Sequence, residues 1–272
     1  MKSPIGIFDS GYGGLTVMKS IVQFLPGYDY IYIGDNARTP YGNRSFETVY
    51  QYTWEAVQWL FKKGCPLVIL ACNTASAKAL RTIQQQNLPD SFPNRRVLGV
   101  IRPTAEMMDQ FTTTRKIGIL ATRGTVQSQS YILEIQKLFP SIEIFQQACP
   151  LLVPLVENNE FDNHGADFFI KKYLHELLSQ DEAIDTILLA CTHYPVLLKK
   201  LIEYTPVHIK IVSQGEIVAQ SLQDYLRRHP AMEERISRGA DWEFFTTDSE
   251  KDFDEHAPVF FGRQVKSEHV II

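Results

Sequence analysis

The sequence predicts an α/β fold of two similar units, each a parallel sheet with helices on both faces. Three observations carry that reading. Short apolar runs alternate with helical periodicities along the chain, which is the pattern of βαβ units rather than hairpins. One run, Val68-Ile-Leu-Ala-Cys-Asn-Thr-Ala-Ser-Ala77, is written again as Ile187-Leu-Leu-Ala-Cys-Thr-His-Tyr-Pro-Val196. A second echo sets Lys116-Ile-Gly-Ile-Leu120 against Ile5-Gly-Ile-Phe8; it is offset by 112 residues where the cysteines are offset by 119, so register holds to within a few residues. A period of that length means duplicated α/β units, because solenoid repeats are much shorter.

In order, Ile5–Phe8 is a buried strand, Asp9-Ser-Gly-Tyr-Gly-Gly14 its loop and Leu15–Phe24 an amphipathic helix. The glycine-rich loop is either a backbone anion site or a plain tight turn. It is not a P-loop, since no Gly-Lys-Ser/Thr follows. Tyr30–Ile33 is the second strand, ending in the polar, turn-rich stretch Gly34–Asn43, the kind of loop on which functional residues gather. Ser45 to Lys63 follows as a helix with Phe46, Val49, Trp54, Val57, Leu60 and Phe61 on its core side. After the first cysteine block a helix runs through Arg81 to Gln86 and is stopped by Leu88-Pro-Asp-Ser-Phe-Pro93. Val97–Ile101 is a strand, and Arg102-Pro103 leads into a short helix whose Met107 and Met108 fill core.

The second unit opens with Lys116–Leu120, and Ala121–Val126 stands where Asp9–Gly14 stood. Tyr131–Leu138 reads as a helix and Ile142–Phe145 as a strand. Pro150 and Pro154 keep Ala148–Glu157 from being a central strand, so an apolar-lined loop is expected there. His164 is expected on a surface loop, and His175 on the solvent side of a helix over Phe168–Leu178. Beyond the second cysteine block, Leu197–Tyr204 is helical, Ile209–Val212 a strand and Ser221–His229 a helix ended by Pro230. Glu243–Thr247 and Ala257–Gly262 are expected as short strand or loop pieces.

At 272 residues, 44% hydrophobic and 21% charged, the chain can bury a core as one large or two modest domains. A net charge of -4 gives no global field for nucleic acid, and no nucleic-acid partner is expected; a cation that grips an anionic substrate has to be local. Met1-Lys-Ser-Pro4 runs straight into the first strand without the apolar region of a signal peptide, and no apolar stretch could span a bilayer. The cytoplasm is therefore expected, with no membrane partner. In that compartment Cys65, Cys72, Cys149 and Cys191 are expected as free thiols, and their spacing matches no metal site.

Two cysteines in matched settings at strand ends, on two halves of one chain, suit a reaction that needs a thiol on each side of a substrate. A thiol at a helix N-terminus is expected to be more acidic than usual, so one can act as thiolate base while the other serves as thiol acid. Asp9 in the first half and His193 in the second can hold or deprotonate these thiols. Asn73, Thr74 and Thr192 offer amide and hydroxyl donors to a carboxylate. A single buried Cys after a strand is usually inert packing, the reading kept for Cys65 and Cys149; the duplication of the other two favours chemistry.

Phe8-Asp-Ser-Gly-Tyr-Gly-Gly14, Gly34-Asp-Asn-Ala-Arg-Thr-Pro-Tyr-Gly42, Ala71-Cys-Asn-Thr-Ala75 and Leu189-Ala-Cys-Thr-His-Tyr-Pro195 resemble, in order and over nearly the whole chain, the signature blocks of the glutamate racemase family. The resemblance implies an isomerase that interconverts L-glutamate and D-glutamate for peptidoglycan, with no cofactor, neither pyridoxal phosphate nor a metal. It implies two pseudo-symmetric Rossmann-like domains with parallel sheets and the active site in the cleft between them. Residues 1–98 and 209–272 would form the first domain and 99–208 the second. Carried over by position, Cys72 and Cys191 are the acid/base pair, the first serving the D-enantiomer and the second the L-enantiomer, with Asp9 and His193 tuning them. Asp9, Ser10, Pro40, Tyr41, Gly42, Asn73, Thr74, Thr192 and His193 match substrate-contacting positions, and Thr122, Thr125 and Glu157 are added to them. The resemblance also implies a homodimer and, as in some relatives, a contact with DNA gyrase. One departure is Thr104, where the family usually has Gly. The rival readings are a racemase of the same fold for aspartate or another amino acid, a hydrolase using Cys191 with His193, and a non-enzymatic gyrase-binding regulator.

Overall fold

In the computed structural model, which describes residues 3–272, β1 (Ile5–Asp9) is buried at every position, as suits a parallel strand covered on both faces. The glycine-rich loop leads into α1 (Leu15–Phe24), which turns Leu15, Val17, Met18, Ile21 and Val22 inward. β2 (Tyr30–Gly34) comes next, then α2 (Phe46–Lys62), capped by Ser45, whose hydroxyl accepts the Thr48 N–H. Val49, Val57, Leu60 and Phe61 are buried as expected, but Phe46 is 45% exposed. Its ring instead lies under the Lys78 ammonium, 4.8 Å from the ring centre.

β3 (Leu67–Leu70) stops just short of Ala71-Cys72, and α3 (Asn73–Lys78) begins at the residue after the cysteine. The chain then stays helical further than the sequence predicts, through α4 (Leu80–Thr82), a π turn at Ile83–Asn87 and α5 (Leu88–Ser91). Pro89 does not stop it, because it falls in the first turn of α5, where an N–H has no intrahelical partner to lose. β4 (Arg96–Gly99) ends this half.

After α6 (Ile101–Met107), the order restarts with β5 (Lys116–Ala121), α7 (Arg123–Ser128), α8 (Ser130–Leu138) and β6 (Glu143–Ala148). The loop expected over Ala148–Glu157 is corrected here, since Leu152–Glu157 is a helix, α9. Pro154 lies in its first turn, where its missing N–H breaks no bond. His164 is likewise the first residue of α10 (His164–Leu178), with Asn163 as its cap, although its side chain stays exposed as expected. β7 (Thr186–Ala190), α11 (Leu198–Tyr204) and β8 (Lys210–Val212) follow.

The chain returns through α12 (Gly215–Arg228) and α13 (Pro230–Glu233) to β9 (Trp242–Thr246), α14 (Glu250–Phe261) and β10 (Ser267–His269). Ala257–Gly262, expected as strand or loop, is the end of α14, whose Phe253, Ala257, Phe260 and Phe261 share one buried face.

The strands form two sheets, ordered β10-β9-β2-β1-β3-β4 and β6-β5-β7-β8, with every pairing parallel. The expected α/β architecture with two parallel sheets is therefore present. The run β2-β1-β3-β4 has the same order as β6-β5-β7-β8, so the sequence echo is an echo of topology. Lys210–Val212, expected in the returning segment that starts at 209, pairs instead with β7 in the second sheet. In each sheet the order reverses at the matched place, between β1 and β3 and between β5 and β7, where open α/β sheets leave a crevice beyond the strand ends. One apolar cluster runs from Ile5 and Leu15 to Leu189 and Tyr194, joining the halves. Among the described residues no helix is long and apolar enough to cross a membrane.

Candidate active site

The two crevices open on one cavity. Its wall includes Ser10, Pro40, Tyr41, Gly42, Cys72, Asn73 and Thr74 from the first half, with Thr122, Cys191, Thr192 and His193 from the second. Its volume is about 30 Å³, room for about two water molecules, so the walls have to part before an amino acid can enter. A larger cavity of about 510 Å³ lies elsewhere, lined in part by Leu80, Leu98, Arg102 and Tyr225 and by no cysteine. Chemistry, rather than volume, singles out the smaller one.

On the first wall, β3 ends where Cys72 takes extended backbone and caps α3, its Sγ accepting the Ala75 N–H at 3.4 Å. The same sulfur donates to Ser10 Oγ at 3.5 Å. Asp9, the last residue of β1, is fully buried, and its Oδ2 accepts the Gly11 N–H at 3.0 Å. The Tyr41 hydroxyl donates to Asp35, which also accepts from Arg38 Nε at 2.7 Å, fixing the loop that carries Pro40 and Gly42. The Thr39–Pro40 bond is cis.

On the second wall Cys191 does not cap a helix as Cys72 does. Its carbonyl accepts the Tyr194 N–H at 3.2 Å, a 3-10 turn spans Tyr194–Leu197, and α11 begins only afterwards. His193 Nε2 and Glu157 Oε1 are 3.0 Å apart, and the His193 ring meets Phe260 edge-on at 5.4 Å.

The halves interlock at the site. Thr192 Oγ1 donates to Asp9 Oδ1 at 3.3 Å, and Thr16 Oγ1 donates to the Thr192 carbonyl at 2.9 Å. The hydroxyls of Thr74 and Thr122 are 3.0 Å apart, and that of Thr125 lies 3.1 Å behind Thr122. Two glycines permit the fit. A Cβ on Gly13 would lie 2.3 Å from Thr192 Oγ1 and 2.4 Å from His193 Nδ1, and one on Gly42 would lie 2.9 Å from Thr122 Cβ.

Burial, with the nearby Asp9 charge adding to it, pushes the Cys72 thiol up to about 12, against the smaller effects of its bonds with Ser10 and Ala75. The acidic thiol expected at a helix N-terminus is therefore not found; one weak N–H···S bond does not offset the loss of water. Burial also raises Asp9, opposed by His193 and by the Gly14, Gly11 and Thr192 donors. For His193 burial disfavours the charge, but contacts with Cys191 and Glu157 outweigh it and raise the imidazole to about 10.

Of the residues expected from the sequence, Ser10, Pro40, Tyr41, Gly42, Cys72, Asn73, Thr74, Thr122, Cys191, Thr192 and His193 line the cavity. Asp9, Thr125 and Glu157 sit one layer behind, bonded to Thr192, Thr122 and His193 respectively. Thr39, Asn43, Arg123, Cys149, Pro150, Val153 and Pro154 line it without having been expected. Cys149 and Pro150 follow the end of β6, so the strand-end rule that found the other cysteines could have found them too. Cys65 is buried away from the cavity, as the packing reading required.

Comparison with known proteins places the chain in a family. Residues 5–222 match the family model described as Asp/Glu/Hydantoin racemase. The chain is 38% identical over 268 residues to a glutamate racemase of a Sulfurihydrogenibium species, covering 98% of this chain and 96% of that protein. It superposes on a glutamate racemase isoform of Bacillus anthracis with a TM-score of 0.89 and 34% identity, covering 99% and 98% of the two chains. For a glutamate racemase of Francisella tularensis in complex with D-glutamate the TM-score is 0.87 at 29% identity, with 99% and 98% covered. By sequence and by architecture alike, the chain belongs to the Asp/Glu/hydantoin racemase family.

Proposed function

We propose that this isomerase interconverts L-glutamate and D-glutamate through Cys72 and Cys191, one removing the α-proton and the other returning a proton to the opposite face. The observation that carries the reading is a single cavity bounded by two thiols from matched strand ends, each beside its own buried acid–base neighbour. Cys191 takes the proton of L-glutamate while Cys72 gives one; for D-glutamate the roles exchange. One C–H bond breaks as the other forms, and the two sulfurs end with their protonation states swapped. The charge left on the α-carbon has only the adjoining α-carboxylate to spread onto. Asn73, Thr74 and Thr192 are the donors that meet it, in a cavity too small to keep bulk water.

Ser10 and the Pro40–Gly42 loop hold the remainder of the substrate. Asp9 serves Cys72, and the pair His193 and Glu157 serves Cys191, with Thr125 supporting Thr122. The two sheets act as two domains that part to admit glutamate. D-glutamate made in this way supplies peptidoglycan, in the cytoplasm and from a homodimer.

Circular dichroism of L-glutamate, D-glutamate and aspartate tests the proposal, using the wild type with Cys72→Ser and Cys191→Ser. Racemisation of glutamate alone is expected, with a loss of roughly 10³-fold in either variant and solvent deuterium entering at the α-carbon. Wild-type activity in either variant would refute the two-thiol mechanism; racemisation of aspartate in preference to glutamate would refute the substrate.

A further inference from the structure

We infer that Thr104, Tyr131 and Gln214 are positioning residues for the reaction, setting through a buried ring of hydrogen bonds which way the Asn73 amide is turned. The inference rests on the proposed contact between Asn73 and substrate. All four residues are buried, Thr104 and Tyr131 completely.

The direction of every bond in the ring follows from one end of it. Thr104 Oγ1 donates to the Val100 carbonyl at 2.7 Å, a group that can only accept. The Thr104 oxygen is left to accept, so Gln214 has to present Nε2 to it, at 2.9 Å. Nε2 also donates to the Tyr131 oxygen at 2.5 Å, and the Tyr131 hydroxyl donates to Asn73 Oδ1 at 2.6 Å. Asn73 Nδ2 closes the ring by donating to Gln214 Oε1 at 2.7 Å. Turning over either amide would set donor against donor or acceptor against acceptor in a buried place, where a lost partner is costly. Burial also keeps the Tyr131 proton in place, pushing that hydroxyl above its ordinary range. With Oδ1 and one Nδ2 hydrogen committed, what Asn73 has left to offer a carboxylate is its second N–H.

The four residues are also placed to couple the site to the rest of the fold. Asn73 follows Cys72; Thr104 lies in α6, just after the chain leaves the first sheet, and Gln214 lies just after β8, where it leaves the second. Both crossings are thus tied to the residue beside one thiol.

The test is steady-state racemisation in both directions, with melting temperatures, for Thr104→Val, Thr104→Ser, Tyr131→Phe, Asn73→Ala and the double variant Asn73→Ala/Thr104→Val. Thr104→Val and Tyr131→Phe should each lower kcat/KM roughly tenfold, and Thr104→Ser should restore it to within about twofold. In the Asn73→Ala background, Thr104→Val should do nothing further, because no amide remains to be oriented. The positioning role is overturned if Thr104→Val keeps wild-type kcat/KM, even with a lower melting temperature. It is also overturned if Thr104→Ser shares the loss, or if the loss persists in the Asn73→Ala background. Wild-type kcat/KM in Asn73→Ala itself would instead remove the substrate contact on which the inference stands, and the inference with it.

Discussion

Gly13→Ala is the smallest change that presses the first half into the second. The added methyl would lie 2.3 Å from Thr192 Oγ1 and 2.4 Å from His193 Nδ1. Comfortable contacts between such atoms begin near ~3.4 Å, so the wall has to retreat by about 1 Å. Neither neighbour is loose: Thr192 is held through Asp9 and Thr16, and His193 through Glu157. A shift of about 1 Å beside the reacting groups costs roughly 10²-fold in rate. Overpacking of this kind destabilises by about 1–3 kcal/mol, or several degrees in Tm at roughly 2–4 °C per kcal/mol. Circular dichroism at a temperature well below the melt separates the two effects. Because enantiomers have equal free energies, kcat/KM has to fall equally in both directions, which checks the assay internally. If Gly13→Ala kept kcat/KM within about twofold of wild type, the close approach of Gly13 to Thr192 and His193 would have no part in catalysis.

Three further outcomes follow from the electrostatics of the site. His193 has its pKa raised from 6.5 to about 10, so its charge contributes stability that is complete below the lower value and is lost as pH rises through the higher one. The Tm difference between wild type and His193→Gln should narrow between those limits, and a constant gap would contradict it. Glu157→Gln removes one of the contacts that raise His193, so the basic limb of the racemisation profile should move to lower pH; an unchanged limb would exclude Glu157 as a tuning group. With its pKa near 12, Cys72 should be alkylated by iodoacetamide at pH 8 on the order of 10³-fold more slowly than free cysteine. Peptide mass spectrometry reads this, and a rate equal to that of free cysteine would show that burial and Asp9 do not hold the proton.

What the sequence made legible was the part that local pattern controls. Buried parallel strands need unbroken apolar runs, and β1, β3, β5 and β7 have them, so the strand ends that carry Asp9, Cys72, Thr122 and Cys191 could be placed in advance. Proline misled where its position within a helix mattered more than its presence, as with Pro154 in the first turn of α9. Pro258 and the aromatic run around it hid α14, although Phe253, Ala257, Phe260 and Phe261 keep helical spacing between the Ser249 cap and Gly262. The unequal settings of the two thiols could not be read from their matched flanks. The pairings Asp9 with Thr192 and Thr74 with Thr122 join residues from separate units, and no spacing along one chain determines how two sheets dock.

The shared strand order of the two sheets has one more consequence, and it is about handedness. Two copies of an L-polypeptide can be superposed only by a rotation, whereas D- and L-glutamate are related by a mirror, so no duplicated fold can offer the two substrates identical surroundings. The different neighbours of Cys72 and Cys191, a serine and an aspartate for one and an imidazole with its glutamate for the other, are the form this mismatch takes here. The chain should therefore bind and turn over its two substrates with unequal individual constants, however alike its halves become.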